Sequence, residues 1–170
     1  MEKEDQKLLE VAICGYLPYG MKCNLMGMCK DDDSEMPKPL IYTITGINKS
    51  EQEIMIEGES EYYYQDVFPL LYPIECLTKP ITVEGYSDGK EFIPIEEMCK
   101  EFYFHKSKTD YKITKTHTYI SCESRNGESI YVMKDYNKID YWIIEYLNQW
   151  HIDWRGLIAK GLAVDKTSTL

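Results

Sequence analysis

No apolar run in this sequence approaches the roughly 20 residues that a membrane-spanning helix needs. Six cysteines (Cys14, Cys23, Cys29, Cys76, Cys99 and Cys122) form no C-x-x-C pair, and the three histidines are scattered. That spacing offers no zinc-ligand set. No metal and no cofactor are expected, and the thiols read as reduced, mostly buried groups of a cytosolic protein. The opening MEKEDQKLLEVAICGYL mixes charges of both signs and has no clean apolar core before a small-residue cleavage site. A secretory signal is therefore not expected. Catalytic templates are missing too: there is no G-x-S-x-G elbow, Walker loop, G-x-G-x-x-G or H-E-x-x-H. An enzyme here would be of an unrecognised type, with its Cys–His or carboxylate pairs meeting in space. Phenylalanine is scarce, four against fifteen tyrosines, which favours half-buried faces where a ring packs and its hydroxyl stays wet.

What is present suits a folded protein. The chain has 170 residues, 44% of them hydrophobic, enough for one domain over residues 1–170 that buries about two-thirds of its unfolded surface. The formal net charge of -10 is uneven. Residues 51–101 hold 13 acids and 3 bases, whereas residues 102–170 hold 8 acids and 10 bases. An acidic middle repels phosphates and anionic membranes and favours basic protein partners.

Hydrophobic periodicity predicts a helix over residues 4–14, with Leu8, Leu9, Ala12 and Ile13 inward and GYLPYG as its stop. Strands are expected at 21–29, 40–47 and 53–59. The acidic loop KDDDSEMPKP lacks the EF-hand glycine and glutamate, since Met36 and Tyr42 stand there. Pro69, Pro73, Pro80 and Pro94 divide the next span into short extended pieces. Asp88-Gly89 predicts a two-residue turn, and Pro94 opens a helix with Glu96 and Glu97 at its positive end. Asn126-Gly127 predicts a hairpin with Arg125 opposite Glu128, placing Ile120, Cys122, Tyr131 and Met133 on one face. From Asn137 a long C-terminal helix is expected, with Ile139, Trp142, Ile143, Tyr146, Leu147 and Trp150 inward and Asn148 on the other side. These elements make an α+β fold: a mostly antiparallel sheet of short strands against a long C-terminal and a short N-terminal helix.

Two stretches are candidate binding surfaces. In EGESEYYYQD, Glu57, Glu59 and Glu61 precede Tyr62, Tyr63 and Tyr64, a pairing of charge and rings that can steer and hold a basic protein partner. In residues 100–115, Lys106, Lys108, Lys112 and Lys115 interleave with Tyr111, the chemistry by which single-stranded nucleic acid is bound. A third stretch, WHIDWRG (150–156), looks like a site and reads better as a corner. Asp153 is an N-cap for a second short helix, accepting from Gly156 or its neighbour. Ile152 and Leu157 form a staple, and Gly161 with Leu162 a left-handed stop.

LPYGMKC near the start, PLLYPIECLTKPI in the middle and HIDWRGLIAKGLAVD at the end resemble a group of small uncharacterised proteins of Bacteroidales genomes and their phages or prophages. That group shares an LPYGLK-like opening and an H-x-D-x-x-GLI-x-KGLA-like ending. The resemblance implies a cytosolic accessory protein of a phage or mobile element and assigns no catalytic residue. The leading expectation is a non-enzymatic protein-binding or regulatory module using its acidic, tyrosine-rich middle. The alternatives are a nucleic-acid accessory protein or an enzyme of unrecognised type.

Overall fold

A computed structural model describes residues 1–25, 41–58, 60–101, 110–113, 118–123, 129–133 and 141–168. It is an α+β fold whose chain forms two compact units, one of Met1–Pro73 with Asp153–Leu170 and one of Ile74–Ile152. Among the described residues no helix is long and apolar enough to cross a membrane.

The first unit begins with α1 (Lys3–Tyr16), which buries Leu9, Ala12, Ile13 and Tyr16 at helical spacing. The helix runs through Gly15. The chain leaves the helix at Leu17 through a 3₁₀ turn, Leu17–Tyr19, that contains Pro18 and ends on Gly20 at φ 67°. Six strands follow in the spatial order β4-β3-β2-β1-β5-β9. They are β1 (Lys22–Leu25), β2 (Ile41–Asn48), β3 (Glu53–Ile56), β4 (Ser60–Tyr63), β5 (Val67–Leu71) and β9 (Val164–Asp165). All neighbours are antiparallel except β5 and β9. Cys23, Leu25, Ile44, Ile54, Ile56 and Val67 are buried and join the α1 stripe in the core. Pro69 does not end an extended piece but sits inside β5 opposite Cys23. β9 pairs only with Leu70 and Leu71, so at Pro69 the strand has one neighbour, where a missing donor is tolerated.

The second unit holds α2 (Pro94–Glu101), a three-stranded antiparallel sheet and α3 (Tyr141–Gln149). The sheet runs β6 (Asp110–Ile113), β7 (Thr118–Glu123), β8 (Ser129–Met133). Its hairpin register differs by one residue from the Asn-Gly expectation. Ile120 stands opposite Val132 and Cys122 opposite Ile130, so the apolar partners are Ile130 and Val132 instead of Tyr131 and Met133. A one-residue shift of register exchanges the faces of a strand. Arg125 and Glu128 lie outside the described residues.

The long C-terminal helix is also corrected: α3 has nine residues, and the expected residues 137–140 lie outside those described. Asn148 is buried with Ile143 and Leu147 and does not face solvent. The chain stops being helical because the amide of Ile152 reaches back to the Leu147 carbonyl (2.8 Å) and that of His151 to Asn148 (3.0 Å). His151 takes the left-handed conformation between them, at φ 54°. This six-to-one, five-to-two pair of bonds is a Schellman stop, with Leu147 and Ile152 as its buried apolar contact residues.

Trp150, wholly buried, is the hub of an aromatic cluster. Its ring centroid lies 4.8 Å from Tyr146, 5.4 Å from Phe92 and 5.7 Å from Tyr86. Phe92 pairs with Ile81 through an antiparallel bridge, closed by a turn in which Ser87, Asp88 and Gly89 all have positive φ.

Candidate protein-binding surface

β4 and β3 form the free end of the six-stranded sheet. Glu53 stands opposite Tyr63, Ile54 opposite Tyr62, and Met55 opposite Glu61. Because side chains alternate along a strand, burial of Ile54 and Ile56 turns Tyr62 toward the core side. Glu53, Met55, Glu61 and Tyr63 share the opposite face. Tyr63 is 58% exposed and Met55 39%, a ring and a thioether set open among carboxylates.

β2 prepares the floor of this face. A bulge between Ile44 and Gly46 adds one residue to β2, so Ile44 and Ile47 both meet buried partners while Gly46 falls opposite Met55. Gly46 gives Met55 its room: a Cβ there would lie 3.1 Å from the Met55 sulfur. Farther along the sheet, Lys22 Nζ donates to Thr43 Oγ1, which donates to Glu57 Oε2, each at 2.9 Å. Ile41, 52% exposed, lies two residues from Thr43 on the same strand and so on the same face.

Charge at the free end is concentrated. Loss of water around Glu53, then the negative charges of Glu61 and Glu51, raise its carboxyl above the ordinary value. Acids this close repel one another and are relieved by a cation. At the far end of β4 a shallow cleft of about 250 Å³ is lined by Met1, Gln6, Gln52, Tyr63, Tyr64 and Gln65. Gln52 holds positive φ, 62°, in the turn between β2 and β3.

The sequence candidates therefore separate. Glu61 and Tyr63 come together on the open face. Glu57 is tied to Thr43, and Glu59 lies outside the described residues. Tyr62 is half-buried and Tyr64 buried. Burial, with the charge of Glu10 next in weight, pushes the Tyr64 phenol up to about 12. Glu53, Met55 and Ile41 were not singled out from sequence, although the alternation in EIMI already places Glu53 and Met55 opposite the buried isoleucines. Of the basic stretch, Tyr111 and Lys112 sit on β6, opposite Ile120 and Tyr119. Lys106, Lys108 and Lys115 lie outside the described residues.

At the 153–162 corner, Asp153 is buried and its two carboxylate oxygens accept from the amides of Leu157 and Ile158, both at 2.8 Å. Its own amide donates to the Tyr72 carbonyl (2.8 Å). The expected second helix is a single 3₁₀ turn, Ile158–Lys160, ended by Gly161 at φ 70°. The Leu162 amide reaches Leu157 (2.9 Å) and the Gly161 amide reaches Ile158 (3.0 Å), repeating the stop that ends α3. Arg155 lies over the Trp154 ring, 4.0 Å from its centroid, a cation–π contact. Burial, then the negative charge of Asp153, holds the Tyr16 phenol well above its ordinary range, with Arg155 opposing.

Among the described residues no three His, Cys, Asp or Glu side chains converge as a metal-holding group. Cys23 and Cys76 are buried and Cys14 exposed; burial raises the Cys23 thiol to about 11. Compared with models of known families, with curated proteins and with solved structures, the chain matches none.

Proposed function

We propose that this protein is a non-enzymatic protein-binding module that takes a basic partner on the open face of β3 and β4, in the setting of a phage or mobile-element accessory protein in the cytosol. One observation carries the reading. Tyr63 and Met55 are exposed side by side with Glu53 and Glu61 on a sheet face. A tyrosine ring and an adaptable methionine supply contact area, and the acids supply steering. An isolated acidic loop would supply only the second. Residues 51–66 hold six acids and no base, so the attractive field extends along this same stretch beyond the contact residues.

The test compares the wild-type chain with a Glu53→Lys, Glu61→Lys, Tyr63→Ala variant as baits for a Bacteroidales lysate at low salt. The proposal expects a basic protein that the wild type retains, that moderate salt releases and that the variant fails to hold. Equal retention by both baits, or no retained protein, contradicts it.

A further inference from the structure

β4 ends its sheet, and among the described residues no strand pairs with its outer side. One bond fixes where its amides point. The Tyr64 amide donates to the Gln52 carbonyl at 3.4 Å, on the β3 side. Amide direction alternates along a strand, so the amides of Ser60 and Tyr62 point to β3 as well, and those of Glu61 and Tyr63 point outward. The register agrees, because Tyr62 opposite Ile54 and Ser60 opposite Ile56 continue that Gln52–Tyr64 pairing. Two outward amides, with the carbonyls of the same residues, are what an added strand pairs with.

Proteins commonly block such an edge with lysine, proline or a bulge. Ser60–Tyr63 holds none of these; its protection is its short length and one charge, the acid Glu61, which repels a like-charged strand and not a basic one. That choice discriminates between partners. A second copy pairing through the same edge brings Glu61 and its acidic neighbours against themselves, and like charges across a ladder destabilise it. A strand carrying lysine or arginine at alternate positions meets the opposite field and an exposed ring that attracts cations on its face.

We infer that β4 accepts a basic, extended segment of a partner protein as an additional strand. Its main chain bonds to the outward groups of Glu61 and Tyr63, and its basic side chains lie along Glu61, Tyr63 and the field of Glu53. This rests on the reading of the β3–β4 face as protein-binding, and it adds the mode of binding.

Two eight-residue peptides of alternating lysine and threonine test it, one ordinary and one N-methylated throughout. They carry the same charge, and only the first can complete a ladder. Each is titrated into the full chain while amide exchange is followed. The expected result is that the ordinary peptide binds and slows exchange at Glu61 and Tyr63, while the methylated one loses tenfold or more in affinity. Glu61→Lys abolishes binding of the ordinary peptide. Equal affinity for both peptides overturns strand addition and leaves the acidic face as the docking surface. Failure of both to bind also overturns strand addition, and the comparison of lysate baits then decides the broader reading by itself.

Discussion

At the scale of single residues, the chain spends its buried charge on turning corners. Asp153 holds two amides that the 3₁₀ turn leaves without helical partners, and it does so out of water. Removing it strands one buried and one part-buried donor, so Asp153→Ala should cost about 2–3 kcal/mol of stability in chemical denaturation, more than an exposed cap. Asp153→Asn retains one acceptor oxygen and should fall between. Glu53 behaves differently, because its neighbours oppose its charge. Its folded-state carboxyl is raised, first by loss of water and then by Glu61 and Glu51. The folded protein therefore holds that proton more tightly than the unfolded chain does, and stability falls as pH rises from about the ordinary glutamate value through the raised one. Glu61→Gln should move the Glu53 titration back toward the ordinary value, measurable by carboxyl NMR. An unmoved titration would show that Glu61 is not its electrostatic neighbour.

At the scale of elements, period and punctuation explain what the sequence discloses. The α1 stripe, the alternation in β3 and the glycine at 161 are local signals, and each can be read without knowing a partner strand. The hairpin register could not be read that way, since Asn-Gly marks a turn while the pairing of Ile120 and Cys122 with Val132 and Ile130 depends on which faces are apolar. The end of α3 near Trp150 and His151 was legible as the point where the helical period stops, but the motif that stops it was not. His151 is not the glycine expected of a left-handed stop, and the apolar pair Leu147 and Ile152 closes the motif in its place. Of the candidate surface, the acids and tyrosines were visible as composition. Their sorting into Glu61 and Tyr63 outward and Tyr62 and Tyr64 inward required the register with β3. Within the second unit, the cluster around Trp150 is a clear target. Trp150→Ala removes a ring in contact distance of three others, and should cost roughly 3–5 kcal/mol, read as a lowered denaturation midpoint.

At the scale of the molecule, the first unit is discontinuous in sequence. Asp153, β9 and Lys160, whose ammonium pairs with Asp5 at 2.9 Å, return to it only after residues 74–152. Folding of the second unit shortens that connection. If residues 74–152 become an open loop, closing the first unit carries a larger entropic cost. Trp150→Ala should therefore also raise amide exchange in β5 and β9, although it changes no residue of that unit. A chain ended after Ile152 should lose the cooperative unfolding of residues 1–73, because it lacks β9 and the Asp153 corner. Sharp unfolding of that shortened chain would count against the interdependence.

The partner-bound state tests the account most directly. Hydrogen–deuterium exchange on the chain with the basic partner retained from lysate should show protection concentrated in residues 53–63, greatest at Glu61 and Tyr63. Protection elsewhere, with residues 53–63 exchanging as they do in the free chain, would contradict the assignment of function to this face.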